Sequence, residues 1–185
     1  MSATAAPFGL QPVFHPSGEI RLSSRVDGVL STYGTSIFTG TPIKNDTNGT
    51  LIPTTTAAAN PTIGVFMGCQ FSSGGRRFVL PYWPASQAYD AGSCVVQYTE
   101  DPQTIYAGQG TGSYAATAVG EGVNLQDASQ GSTYTGLSTQ SLSAATGATA
   151  ATFTIVGLAE YPNNAWGDAY TIVNVKIQTY QGPVA

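Results

Sequence analysis

Tyr170-Thr-Ile-Val173-Asn-Val175-Lys-Ile177-Gln-Thr-Tyr180 alternates apolar and polar side chains with a period of two. Successive side chains of an extended strand point to opposite faces. Val173, Val175 and Ile177 therefore share one face, and Asn174, Lys176 and Gln178 the other. This is the pattern of a half-buried β-strand. Just upstream, Thr152-Phe-Thr-Ile155 alternates in the same way and Gly157-Leu158 continues it. Tyr161-Pro-Asn-Asn-Ala-Trp-Gly-Asp168 supplies a loop, so residues 152–180 read as a closing hairpin.

Further upstream, residues 61–100 repeat the β signal. Thr62-Ile-Gly-Val-Phe-Met67, Arg76-Arg-Phe-Val-Leu80 and Ser93-Cys-Val-Val-Gln-Tyr-Thr99 are strand-like runs. Phe71-Ser-Ser-Gly-Gly75 reads as a turn and Pro81-Tyr-Trp-Pro84 as a rigid aromatic segment. Residues 21–60 hold two or three strands. They include a hairpin whose Asn48-Gly49 pair carries the turn signal between Thr41-Pro-Ile-Lys44 and Thr50-Leu-Ile-Pro53. Residues 108–150 are mostly Gly, Ser, Thr, Ala and Gln. Ser113 to Ala118 suits one helical turn, and Ser138 to Ala151 reads as a low-complexity surface loop or β-edge. No long stretch carries apolar residues at helical spacing.

Residues 1–20 read as an extended arm. Pro7, Pro12 and Pro16 push the residues before them toward extended geometry, and Phe8, Leu10, Val13 and Phe14 lie between them. An arm this apolar must dock on its own fold or on a neighbour. The expected organisation is an arm over 1–20 and a β-rich body over 21–185, divisible near 21–107 and 108–185. The fold class is all-β: a barrel or sandwich with long Gly/Ser/Thr-rich loops and an extended N-terminal arm.

Only 9% of the 185 residues are charged, with six Lys and Arg against ten Asp and Glu; net charge is -4. An ordinary domain carries about 25%. Hydrophobic content is 42%, so disorder is excluded. A coiled coil lacks its Glu, Lys and Leu, and a nucleic-acid binder lacks its basic footprint. No apolar run approaches the roughly 18 residues of a spanning helix. Surface charge ordinarily keeps a folded chain soluble. A surface this neutral points to one covered by partners, with a Thr/Ser-rich extracellular β-domain as the alternative.

Chemistry-bearing residues are sparse. His15 is the one histidine and lies in the arm, which offers no rigid scaffold for a catalytic triad. One His and two distant Cys do not offer zinc ligands. Asp46-Thr-Asn48-Gly49 has part of a calcium loop without its later ligands. Gly108-Gln-Gly-Thr-Gly112 lacks the third glycine of a dinucleotide fingerprint. Glu160 and Asp168 flank a loop with aromatics that suits a sugar site, although solvated loop carboxylates are the plainer reading. Cys69 and Cys94 read as small buried hydrophobes, with their pairing left open. Met1 to Pro7 has no basic region and no apolar h-region, so cytoplasmic synthesis without a secretory signal is expected. Arg76 and Arg77 form the one adjacent basic pair. Tyr82, Trp83 and Trp166 are candidate interface anchors, because Trp, Tyr and Arg dominate hot spots; core packing is the competing reading for each.

The opening Ala6-Pro-Phe-Gly-Leu-Gln-Pro-Val-Phe-His-Pro-Ser-Gly18 resembles the start of small tailed-bacteriophage structural proteins. They are similar again at Thr62-Ile-Gly-Val-Phe-Met-Gly68, at Tyr82-Trp83-Pro84, at Phe153-Thr-Ile-Val-Gly-Leu158, and at Gly167-Asp-Ala-Tyr-Thr-Ile-Val-Asn-Val-Lys-Ile177. The resemblance is to the head decoration (cement) protein family. It implies a virion protein on the capsid exterior, made in the bacterial host cytoplasm. It further implies contact with the major capsid protein and a homo-oligomer, a trimer rather than a dimer. It implies no catalytic residues and no cofactor. The expected contact residues are Phe8, Leu10, Val13, Phe14, Arg76, Arg77, Tyr82, Trp83 and Trp166. The competing readings are a phage tail or head-fibre adhesin, a glycan hydrolase using Glu160 or Asp168, and the major coat protein, whose spine helix this chain lacks.

Overall fold

The computed structural model describes residues 2–127, 129–147 and 150–182. Met1 of the expected arm, Ala148 and Thr149 of the low-complexity stretch, and the last three residues of the body lie outside the described residues. The strands are β1 (Gln11–Phe14), β2 (Ser23–Val26), β3 (Ile37–Phe38), β4 (Pro42–Asn45), β5 (Leu51–Pro53), β6 (Gly64–Ser73), β7 (Arg76–Leu80), β8 (Tyr82–Trp83), β9 (Val95–Thr99), β10 (Ile105–Gln109), β11 (Gly122–Val123), β12 (Phe153–Leu158) and β13 (Ile172–Ile177). A single 3-10 turn, Ala116–Ala118, falls inside the stretch read as helical.

Sheet I runs in the order β1-β10-β13-β12-β11 and sheet II in the order β2-β9-β6-β4-β5, with β7 also paired to β6; β3 and β8 form a small ribbon. The described strands close no barrel, so the sandwich alternative holds. The hairpin from 152 to 180 forms as read: β12 pairs with β13, and Val173, Val175 and Ile177 are buried in one core. The Asn48-Gly49 turn likewise joins β4 to β5, with Gly49 at φ 75.

β6 is the middle of the molecule. Its neighbours Val65 and Phe66 point to opposite faces and enter two different cores. Val65 meets sheet I, where Leu10, Tyr106, Leu142, Phe153, Val173 and Val175 gather. Phe66 meets the second core with Val29, Ile37, Leu51, Trp83, Val96 and Tyr98. Burial on both faces is why residues 62–67 form a continuous apolar run instead of alternating. The sheets are stitched by Thr99, whose hydroxyl accepts from the Val65 N–H at 3.0 Å and pairs with the Tyr106 hydroxyl at 2.8 Å. Gly64 is required here: a Cβ would sit 1.5 Å from the Thr99 carbonyl oxygen.

The arm docks on its own fold, one of the two courses its apolar residues allow: Tyr170 N–H donates to the Ser2 carbonyl, Leu10 N–H to the Gly40 carbonyl, and β1 is the edge strand of sheet I. Phe8 lies over Ala107, Ala159 and Ile172 on the face of sheet I turned away from Val175. The stretch from Ser138 is not a surface loop at its start. Ser138, Gln140, Ser141 and Leu142 are buried, and Leu142 bridges Gly110 on one side and Leu125 on the other.

Candidate interaction surface

The tip of β6–β7 is set by two glycines. Gly74 and Gly75 have φ 57 and 76, both positive as a two-residue hairpin turn with the native strand twist needs. The turn pairs Ser73 with Arg76, and the ladder continues Ser72–Arg77, Phe71–Phe78, Gln70–Val79 and Cys69–Leu80. Phe78 therefore shares the core-side face with Phe71, 5.3 Å between ring centroids. Arg77 and Val79 point the other way.

Following the register outward from Val79 gives a row across four strands. Val79 is opposite Gln70, Gln70 opposite Val95, and Val95 opposite Val26. The next row is Gly68, Gln97 and Ser24. Val79 is 71% exposed and Val26 62%. Among the described residues of this face, Arg77 carries the one charge, and it donates to the Gln70 side-chain oxygen at 2.6 Å. At its far end the same face is covered by sheet I through Val65. Large apolar side chains left in water on a flat sheet face mark an interaction surface.

The expected contact residues do not gather there. Leu10 and Trp83 are interior: Leu10 belongs to the first core, and Trp83, fully buried, makes edge contacts with Phe71 at 5.4 Å and Tyr89 at 5.8 Å. Neither has surface to offer a partner. Tyr82 is half-buried and stacked on Phe38 at 5.6 Å. Phe8 and Trp166 are half-buried against sheet I, Phe8 tilted on Tyr161 at 6.4 Å. Arg76 and Arg77 are exposed on β7. Val13 and Phe14 are exposed on β1, where with Ala159, Glu160, Tyr161 and Asn174 they border a surface groove of about 480 Å³. Val26, Val79 and Val95 escaped the sequence reading. Their one signal was Phe78-Val79, consecutive apolar residues on a strand with an exposed face.

Asp168, Asp101 and Asp46 each hold a turn. Asp168 accepts from the Ser2 hydroxyl and from the Ala165 N–H, and both hold its carboxyl below the usual range. Asp101 is likewise lowered, first by the Gln103 N–H at 2.7 Å; His15 Nε2 lies 3.0 Å from its other oxygen. Asp46 closes its hairpin twice: its carboxylate accepts from the Asn48 amide and its backbone carbonyl from the Gly49 N–H. Among the described residues no three His, Cys, Asp or Glu side chains converge as metal ligands would.

Cys69 lies opposite Val96, and Cys94 is two residues from Val96. They are therefore diagonal neighbours, about 7–8 Å apart, too far for a disulfide. Both thiols are free and buried. Burial pushes Cys69 up to about 12 and Cys94 to about 11.

No family model, no curated protein and no solved structure matches this chain.

Proposed function

We propose that this chain is a structural virion protein that binds the outside of an icosahedral phage capsid and stabilises it, as a decoration or cement protein. The observation that carries this is the sheet face spanning β2, β9, β6 and β7, which exposes Val26 and Val79 and carries Arg77 as its one charge among the described residues. Such a face is suited to lying flat against the major capsid protein, with shape and apolar burial supplying the affinity. The family resemblance supports the same reading. Homo-oligomers, trimers at three-fold positions, would multiply a weak single contact. No nucleic acid, membrane or catalytic step enters this role.

The test is binding of purified protein to heads lacking decoration, measured by co-sedimentation. Val26→Asp combined with Val79→Asp is expected to weaken binding about tenfold or more. Tyr134→Ala, at a 96% exposed site elsewhere, should leave it unchanged. Undiminished binding of the double variant would sink the assignment of this face. Electron microscopy that places the protein on the tail would favour a tail or head-fibre module instead, the reading to which the groove beside Phe14 lends support.

A further inference from the structure

We propose that the groove between β1 and residues 159–161 is a binding site for a neutral carbohydrate. β1, β10 and β13 are consecutive in sheet I, so β1 and β13 stand about 10 Å apart across the groove floor. Phe14, 53% exposed, and Val13 form one wall; Ala159, Glu160 and Tyr161 form the other; Asn174 rises from β13. The groove lies on the face of sheet I opposite Val173 and Val175.

The polar groups here are acceptors in excess. Glu160 is exposed and has no hydrogen bond or ion pair among the described residues. Asn174 gives one of its two Nδ2 hydrogens to the Leu158 carbonyl at 3.4 Å, and its Oδ1 stays open. Lys176, on the same face, donates to the Gln103 side-chain oxygen at 2.6 Å and makes no ion pair with Glu160. A ligand that fits must bring hydroxyl or amide donors to Glu160 and Asn174. It must also lay an apolar C–H face on an aromatic ring and carry no negative charge. A sugar ring combines these. An extended peptide is disfavoured on this floor, because β10 and β13 are each paired on both edges and present no free backbone groups.

Glycoside hydrolysis needs two carboxyl groups flanking the bond. Glu160 is the one carboxylate among the described groove residues, and Asp168 is held in its own turn by Ser2 and Ala165. The groove is therefore built to hold a glycan and not to cut it. This assignment does not depend on the capsid-binding reading, since it uses the other sheet.

The experiment is saturation-transfer NMR on the full chain with three soluble probes at millimolar concentration: maltotriose, mannobiose and N,N′-diacetylchitobiose. Transfer to the C–H protons of one ring face is expected for at least one probe. It should fall about fivefold or more in Phe14→Ala and in Glu160→Ala. Both side chains are at the surface, and near-ultraviolet circular dichroism checks that each variant keeps the fold. Absence of transfer to all three probes, or transfer that survives both substitutions, overturns the proposal. Head binding by Glu160→Ala is measured in parallel and should be unchanged, which keeps this test separate from that of the β2–β9–β6–β7 face.

Discussion

Leu142 sits in Ser138-Thr-Gln-Ser-Leu-Ser-Ala-Ala145, with only the small Ala144 and Ala145 as apolar neighbours at strand or helix spacing, yet it is 1% exposed. What buries it is remote: Leu142 N–H donates to the Gln109 carbonyl, Thr111 N–H donates to its carbonyl, and Leu125 bridges it from the other side. No local pattern encodes those neighbours, so composition alone put this residue on the surface. Leu142→Ala should cost about 2–5 kcal/mol in urea denaturation; a loss within error of zero would contradict its place in the core. The two thiols carry a second residue-level expectation. With Cys69 pushed up to about 12 and Cys94 to about 11, almost no thiolate exists near neutral pH. A thiol-reactive dye at pH 8 should label neither cysteine in the native protein and both after denaturation.

Elements were more legible than their neighbours. β13 announced itself by alternation and β6 by its unbroken apolar run, because both patterns are local consequences of burial on one face or on two. The row Val26–Val95–Gln70–Val79 was hidden for the opposite reason. Its members come from four strands, and only the pairing order puts them side by side. The loop from 161 to 168 shows how an element end is held. Ser2 and the Ala165 N–H stabilise the ionised Asp168, so its folded pKa lies below its unfolded one. That stabilisation is fully present above the unfolded value, near 4, and is lost as pH falls through the lower folded value. Asp101 acts with the same sign. Denaturation midpoints should therefore drop on acidification below about pH 4. Asp168→Asn should flatten that drop, whereas an equal drop in wild type and variant would remove Asp168 as a contributor.

At the scale of the whole molecule, the expected arm docks on the body of its own chain. Gln109 exchanges hydrogen bonds with Thr4 and Ala6, and Phe8 covers Ala107 and Ile172. Its prolines and apolar residues were legible as an extended, docking segment. Which surface received it was not, because own fold and neighbour look alike from within the arm. Removing residues 2–8 strips that cover and should lower the melting temperature by roughly 5–10 °C in calorimetry; an unchanged transition would mean that the segment adds nothing to the fold.

β1 pairs with β10, and β10 with β13. During translation the order of delivery matters. β1 leaves the ribosome long before the strand it must pair with has been made, and β10 in turn waits for β13. Sheet II can assemble while sheet I is still missing its centre. Until β13 emerges, Leu10, Phe14 and Tyr106 have no completed sheet to join. A nascent chain of this design folds late and slowly, because its closing contacts are far apart in sequence. It is most exposed to association with its siblings just before β13 emerges.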